Sequence, residues 1–163
     1  MLCMVIANHY KHFVGDENAM PKKNTLLIGP SGSGKTFMTT TLLKHLGIPY
    51  CIMDASHLTA EGWRGADILN MFADLYQNAG QEIEKAQKGV IFLDEIDKLG
   101  IEVSDYDSFK MSVQTQLLKI IEGHNITFTY NQQEDGRTIE RKISIDTSKI
   151  FVYLSRTFCE YLS

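Results

Sequence analysis

Eight consecutive residues, GPSGSGKT from Gly29 to Thr36, constrain this chain more than anything else in it. They follow a short apolar run, TLLI (25–28), that reads as a buried strand. They open KTFMTTTLLKHL, which reads as a helix halted at Gly47. A strand that turns through glycines into a helix aims successive backbone N–H groups at one point, where the helix dipole also favours an anion. Gly32 and Gly34 let the backbone curl into that shape. Glycine, four residues, then Gly-Lys-Thr is the P-loop pattern, and strand-before, helix-after is the context that supports it. Gly29-Pro30-Ser31-Gly32-Ser33-Gly34-Lys35-Thr36 are therefore the candidate nucleotide-binding residues. Lys35 would bring a point charge to the β and γ phosphates of ATP, and the Thr36 hydroxyl would join the shell of a Mg²⁺ ion.

A second stretch, VIFLDEID, complements the first. GVIFL (89–93) is continuously apolar, as in a central parallel strand covered on both faces. It delivers Asp94 and Glu95 to its C-terminal end, the edge where open α/β sheets bind ligands. Asp94 is the candidate Mg²⁺ carboxylate. Glu95 is the candidate catalytic base, polarising the water that attacks the γ-phosphate, and Lys35 is its catalytic partner. Asp97 and Lys98 read as a surface pair or helix cap.

Elsewhere the pattern alternates strand and helix. The opening MLCMVIANHYKHF reads as a helix with Leu2, Val5, Ile6, Tyr10 and Phe13 on one face, and His9 and His12 as solvated. PYCIMD is the second strand. Asp67 is a candidate N-cap for one long helix carrying Ile68, Phe72, Leu75, Ala79, Ile83 and Ala86. SVQTQLLKIIEG (112–123) is a further helix. ITFTY and TIERKISI form an antiparallel hairpin turning at Asp135-Gly136, and KIFVYL (149–154) is a last buried strand. The expected fold is α/β: a three-layer αβα P-loop arrangement with a mainly parallel sheet plus a β-hairpin insert.

Composition excludes several alternatives. At 163 residues the chain supports one core, and 44% hydrophobic with 22% charged residues is ordinary for a globular protein. A net charge of −4 provides no basic field for nucleic acid or an anionic membrane, so neither is an expected partner. Three scattered cysteines, without a C-x-x-C pair, suit a reducing compartment rather than a zinc module. The longest apolar opening is too short to span a bilayer and lacks a basic lead, so the expected address is cytoplasmic.

Together, NTLLIGPSGSGKT, KAQKGVIFLDEIDKL, LLKIIEG, IDTSKIF and the early NHYKHF resemble the AAA+ ATPases, specifically the ClpX branch, over nearly all of residues 1–158. The resemblance implies one AAA+ large nucleotide-binding subdomain over 1–163, apparently truncated, without the family's zinc-binding and small helical domains. It implies a ring of like subunits, a hexamer in the family, that threads unfolded protein toward a partner peptidase. It also gives a role to Gly62-Trp63-Arg64-Gly65: this stretch occupies the place of the family's Gly-aromatic-hydrophobic-Gly pore loop, whose ring grips the polypeptide. Arg64 departs from the usual apolar residue. Ser155, or else Thr157, is the candidate for the sensor-1 polar group. The second pore segment, GIEVSDYDSFKMSVQTQ, lacks the family's Gly-Glu-Gly-Val-Gln-Gln run, although Val113 and Gln114 match it, and the hairpin lacks the family's Arg-Lys-His loop.

The resemblance implies ATP hydrolysis coupled to protein unfolding. With no matched arginine to complete the site across a subunit interface, this chain alone is expected to bind ATP with little or no turnover. Two alternatives follow from the same residues. One is a nucleotide-gated interaction module that binds a fuller ring without turnover, and the other is a DNA-remodelling AAA+ protein, which the acidic charge disfavours.

Overall fold

The computed structural model describes residues 2–55, 66–99, 107–134 and 137–157. Four strands, β1 (Thr25–Gly29), β2 (Tyr50–Asp54), β3 (Val90–Asp94) and β6 (Phe151–Thr157), form one sheet in the order β1-β6-β3-β2. All its pairings are parallel. The chain runs from β1 across to β2 at the far edge, returns to β3, and only later fills the gap with β6. That crossover opens a crevice beyond the C-terminal strand ends, between β1 and β3.

The pleat sorts the apolar side chains of β3 and β6 into two cores. Val90, Phe92, Phe151 and Tyr153 pack with Ile6 of α1 (Leu2–Val14) and Leu43 of α2 (Lys35–His45). Ile91, Leu93 and Val152 face the other way, toward α3 (Ala66–Asn78), α4 (Ile83–Gln87) and α5 (Asp107–Glu122). The result is the expected three-layer sandwich. A fully buried side chain of this size contributes about 1.5–3 kcal/mol, which is why an unbroken apolar run belongs in the middle of the sheet.

β4 (Asn125–Glu134) and β5 (Arg137–Asp146) make a separate antiparallel pair in register from Asn125↔Asp146 to Glu134↔Arg137. Its base packs on α3, where Phe128 meets Phe72 and Tyr76, and the Tyr130 hydroxyl donates to Gln77 Oε1 at 2.7 Å. The turn expected at Asp135-Gly136 lies outside the described residues.

Several expectations need correction. β1 is not buried: among the described residues it pairs on one side only, and Leu26 and Ile28 stand exposed. The long helix after Asp67 is two helices, and the first already begins at Ala66. Gln81 N–H donates to Tyr76 O and Gly80 N–H to Gln77 O, both at 2.9 Å, a Schellman closure with Gly80 at φ 69°. The apolar spacing continues through Ala79, Ile83 and Ala86, but the left-handed glycine ends the helix first. In α1, Tyr10 is exposed and His9 is fully buried, the reverse of the expected pattern.

Candidate nucleotide site

The glycine turn behaves as its sequence requires. Gly32 and Gly34 both adopt positive φ, 71° and 77°. Gly34 is the N-cap of α2, and among the described residues no side chain caps that end. The first N–H groups of α2 therefore have no side-chain acceptor at the cap among the described residues, as an anion site needs. The Lys35 ammonium folds back over the turn, donating to Gly29 O and Pro30 O at 2.9 Å each and approaching Ser33 Oγ at 3.5 Å.

The carboxylates arrive from two strands away. Asp94 ends β3, and the Thr36 hydroxyl donates to its Oδ2, joining positions 58 apart in sequence. Two hard oxygen donors thus meet at one point beside the glycine turn, a donor set that suits Mg²⁺. Asp94 Oδ1 accepts the Glu95 N–H at 3.0 Å. Glu95 itself has φ 53°, a conformation that costs a non-glycine residue about 1–3 kcal/mol and tends to occur at functional sites. The strained turn holds a second carboxylate at the crevice instead of continuing the strand.

A hollow of about 270 Å³ collects these groups: the turn from Ser31 to Thr36, Phe37, Asp94, Glu95 and Thr157. Gly29 and Pro30 support it from below as acceptors for Lys35. A larger, mainly apolar cavity of about 420 Å³ lies at the other end of the sheet, between α1 and the start of β1, far from these groups.

The two sensor candidates separate clearly. Ser155 is buried within the sheet and its Oγ has no partner among the described residues, whereas Thr157 lines the hollow. β6 extends to Thr157, three residues past the expected end, and pairs it with Gly29 at the start of the glycine turn. Asp97 also makes a contact that the sequence did not suggest. Its Oδ1 accepts the Thr157 N–H at 3.2 Å, tying the end of β6 to the turn after Asp94. Phe37 was missed by sequence reasoning, although a large aromatic directly after Gly-Lys-Thr was a visible signal. Gly62, Trp63, Arg64 and Gly65 lie outside the described residues.

A parallel sheet with this strand order, a glycine turn feeding α2, and paired carboxylates across the crevice define a P-loop nucleoside triphosphatase fold. The sequence model of the ATPase family associated with various cellular activities (AAA) matches residues 25–152, and the chain belongs to that family. It is 40% identical over 168 aligned positions to the ATP-dependent Clp protease ATP-binding subunit ClpX of Treponema denticola. That alignment covers 97% of this chain and 40% of the relative, so the chain spans well under half the length of the protein it matches.

Proposed function

We propose that this chain binds ATP with Mg²⁺ in the hollow above α2 and serves as the large nucleotide-binding subdomain of a ClpX-like protein unfoldase. The observation that carries this reading is the meeting of Thr36 and Asp94 beside the Lys35 turn. A divalent ion held there would neutralise charge between the β and γ phosphates. The N–H groups of the glycine turn would bind the phosphates, and Lys35 would exchange backbone carbonyls for phosphate oxygens. Glu95 would take the proton of the attacking water. Thr157, at the rim, is better placed than Ser155 for the sensor role.

Hydrolysis in a ring of such subunits would move the Gly62–Gly65 loop, with Trp63 gripping unfolded polypeptide and Arg64 making the pore more cationic. A hexamer, a peptidase partner and a cytoplasmic address belong to this proposal. Among the described residues no helix is long and apolar enough to cross a membrane, which is compatible with it.

Calorimetric titration with MgATP tests the binding step. Lys35→Ala should weaken binding by about tenfold or more, and unchanged binding would sink the phosphate-site assignment. Light scattering with ATP and Mg²⁺, followed by ATP-dependent unfolding of a tagged protein, tests the motor step. Binding without self-association would instead favour the nucleotide-gated module.

A further inference from the structure

The four-stranded sheet ends on a short strand at each side, and the two edges differ. At β2 the Asn78 amide donates to Tyr50 O at 3.0 Å, and the strand closes on the charged Asp54. β1 has neither protection. Among the described residues no strand pairs with its outer side, and Thr25–Gly29 holds no charge and no proline. Its register against β6 runs without a bulge. Such an edge offers unpaired N–H and C=O groups to any strand that arrives, which is why proteins ordinarily blunt edges with lysine, proline or a bulge.

The side chains make the edge apolar as well as open. Leu27 packs toward α1 and α2, so the pleat turns Leu26 and Ile28 to the opposite face, where they are 47% and 59% exposed. Met4 of α1 and Met20 are 72% and 61% exposed, and together with Leu26 they border the cavity of about 420 Å³ beside the start of β1. These four side chains expose roughly 400 Å², the size of the largest apolar patch on a typical monomer and commonly a binding surface.

The chemistry of the strand selects its occupant. About a twofold axis through Leu27, a second β1 would run antiparallel, with Leu26 opposite the second copy's Ile28 and Ile28 opposite its Leu26. Apolar then meets apolar at both positions, a stabilising cross-strand arrangement. No like charges oppose each other, because the nearest one before the strand, Lys23, lies beyond the paired segment. Two such patches with their strand backbones amount to roughly 1,000 Å², the lower limit for a specific interface, which corresponds to a weak dimer.

We propose that two copies of this chain pair through β1, edge to edge and antiparallel about a twofold axis, joining two four-stranded sheets into one. The pairing draws nothing from the nucleotide site and forms with or without ATP.

Sedimentation of the 163-residue chain without nucleotide, over about 1 to 200 µM, tests it. The wild type should pass from one chain of 18.5 kDa to two as concentration rises. Leu26→Lys should weaken the pairing by at least about tenfold, since each copy then sets a charge against an apolar partner. Leu26 is exposed, so urea unfolding should find the fold of this variant intact. Adding Ile28→Glu to Leu26→Lys should restore the dimer, because the antiparallel register places each new cation opposite the other copy's new anion. Hydrogen exchange gives a readout free of any substitution: the outward amides of Thr25–Gly29 should slow as the dimer fills. A chain that stays monomeric overturns the proposal, as does a dimer indifferent to Leu26→Lys or a double variant no better than the single one. Growth beyond two chains overturns it too, since a twofold contact closes. So does slow exchange of those amides at every concentration, because another segment of the same chain would then cover the edge.

Discussion

Histidine 9 gives the sharpest test of how α1 is held. Its ring is fully buried, stacked on Phe151 with centroids 3.9 Å apart and edge-on to Tyr153 at 6.2 Å. Nε2 lies 2.9 Å from Lys88 O, and Nδ1 has no partner among the described residues. A carbonyl can only accept, so the neutral ring carries its proton on Nε2 and presents Nδ1 bare. A second proton would have to enter an apolar site. Burial therefore lowers the pKa from 6.5 to about 4, with His12 and Lys22 adding to the effect and the Lys88 carbonyl opposing it.

Unfolding frees the ring to titrate near 6.5, so between that value and about 4 the unfolded chain binds a proton that the folded chain refuses. Stability must then fall as pH falls through this window and be complete above it. Across the whole window the loss is about 3 kcal/mol, and between pH 7.5 and 5.0 about 2 kcal/mol. Urea unfolding reads this directly, as a midpoint lower by roughly 1 M at pH 5.0. His9→Gln keeps an amide donor for Lys88 O but cannot titrate. It should be less stable than wild type at pH 7.5, because the stack on Phe151 is lost, yet lose about 2 kcal/mol less on going to pH 5.0. Carboxylates and exposed histidines affect both proteins alike and cancel in the comparison. Parallel pH profiles for the two proteins would refute the argument, because they would mean that His9 charges as readily folded as unfolded.

Gly89→Ala should destabilise the chain by at least about 2 kcal/mol. Its Cβ would stand 2.8 Å from Pro49 O, 2.9 Å from Leu75 Cδ1 and 3.0 Å from Ala86 O, and the two backbone oxygens cannot swing aside. A urea midpoint equal to wild type would contradict the tight junction before β3. The Cys51 thiol is buried, and burial together with nearby Asp74 raises its pKa. In a Cys3→Ser, Cys159→Ser variant, a thiol reagent at pH 8 should leave the folded protein unlabelled and modify Cys51 fully in urea. Prompt labelling of the folded chain would show the site to be open.

What could be read from the sequence was whatever physics leaves contiguous. The glycine turn needs its residues side by side, and β3 declares itself because both faces are covered. β1 misled for the complementary reason: Leu26 and Ile28 are as apolar as the residues of β3, and nothing local says that a strand lies at an edge. His9 misled because a search for apolar periodicity skips an imidazole, although one carbonyl partner and an aromatic stack suffice to bury it. The choice between Ser155 and Thr157 depended on where β6 ends. There Asp97 reaches across from the neighbouring turn to Thr157, a contact between positions 60 apart.

The same distinction explains residues that marked the family without entering its chemistry. DTSKI and LLKIIEG lie at the opposite end of the sheet from the crevice, and they lock to each other. Thr147 is fully buried: its Oγ1 accepts His124 N–H at 2.8 Å and donates to His124 O at 2.9 Å, while its own N–H donates to the same carbonyl at 3.0 Å. Asp146 accepts from Ser148 N–H at 2.9 Å, and the Lys22 ammonium donates to Ser148 O at 2.9 Å. A Cβ at Gly123 would sit 2.9 Å from Ser148 Cα, so α5 can end against this turn only on a glycine. These contacts fix where β6 begins, and β6 is the strand that separates β1 from β3. Its placement sets the gap across which Thr36 reaches Asp94. A motif remote from the crevice thereby bears on the Thr36–Asp94 pair, and its side chains answer to packing and hydrogen-bond satisfaction.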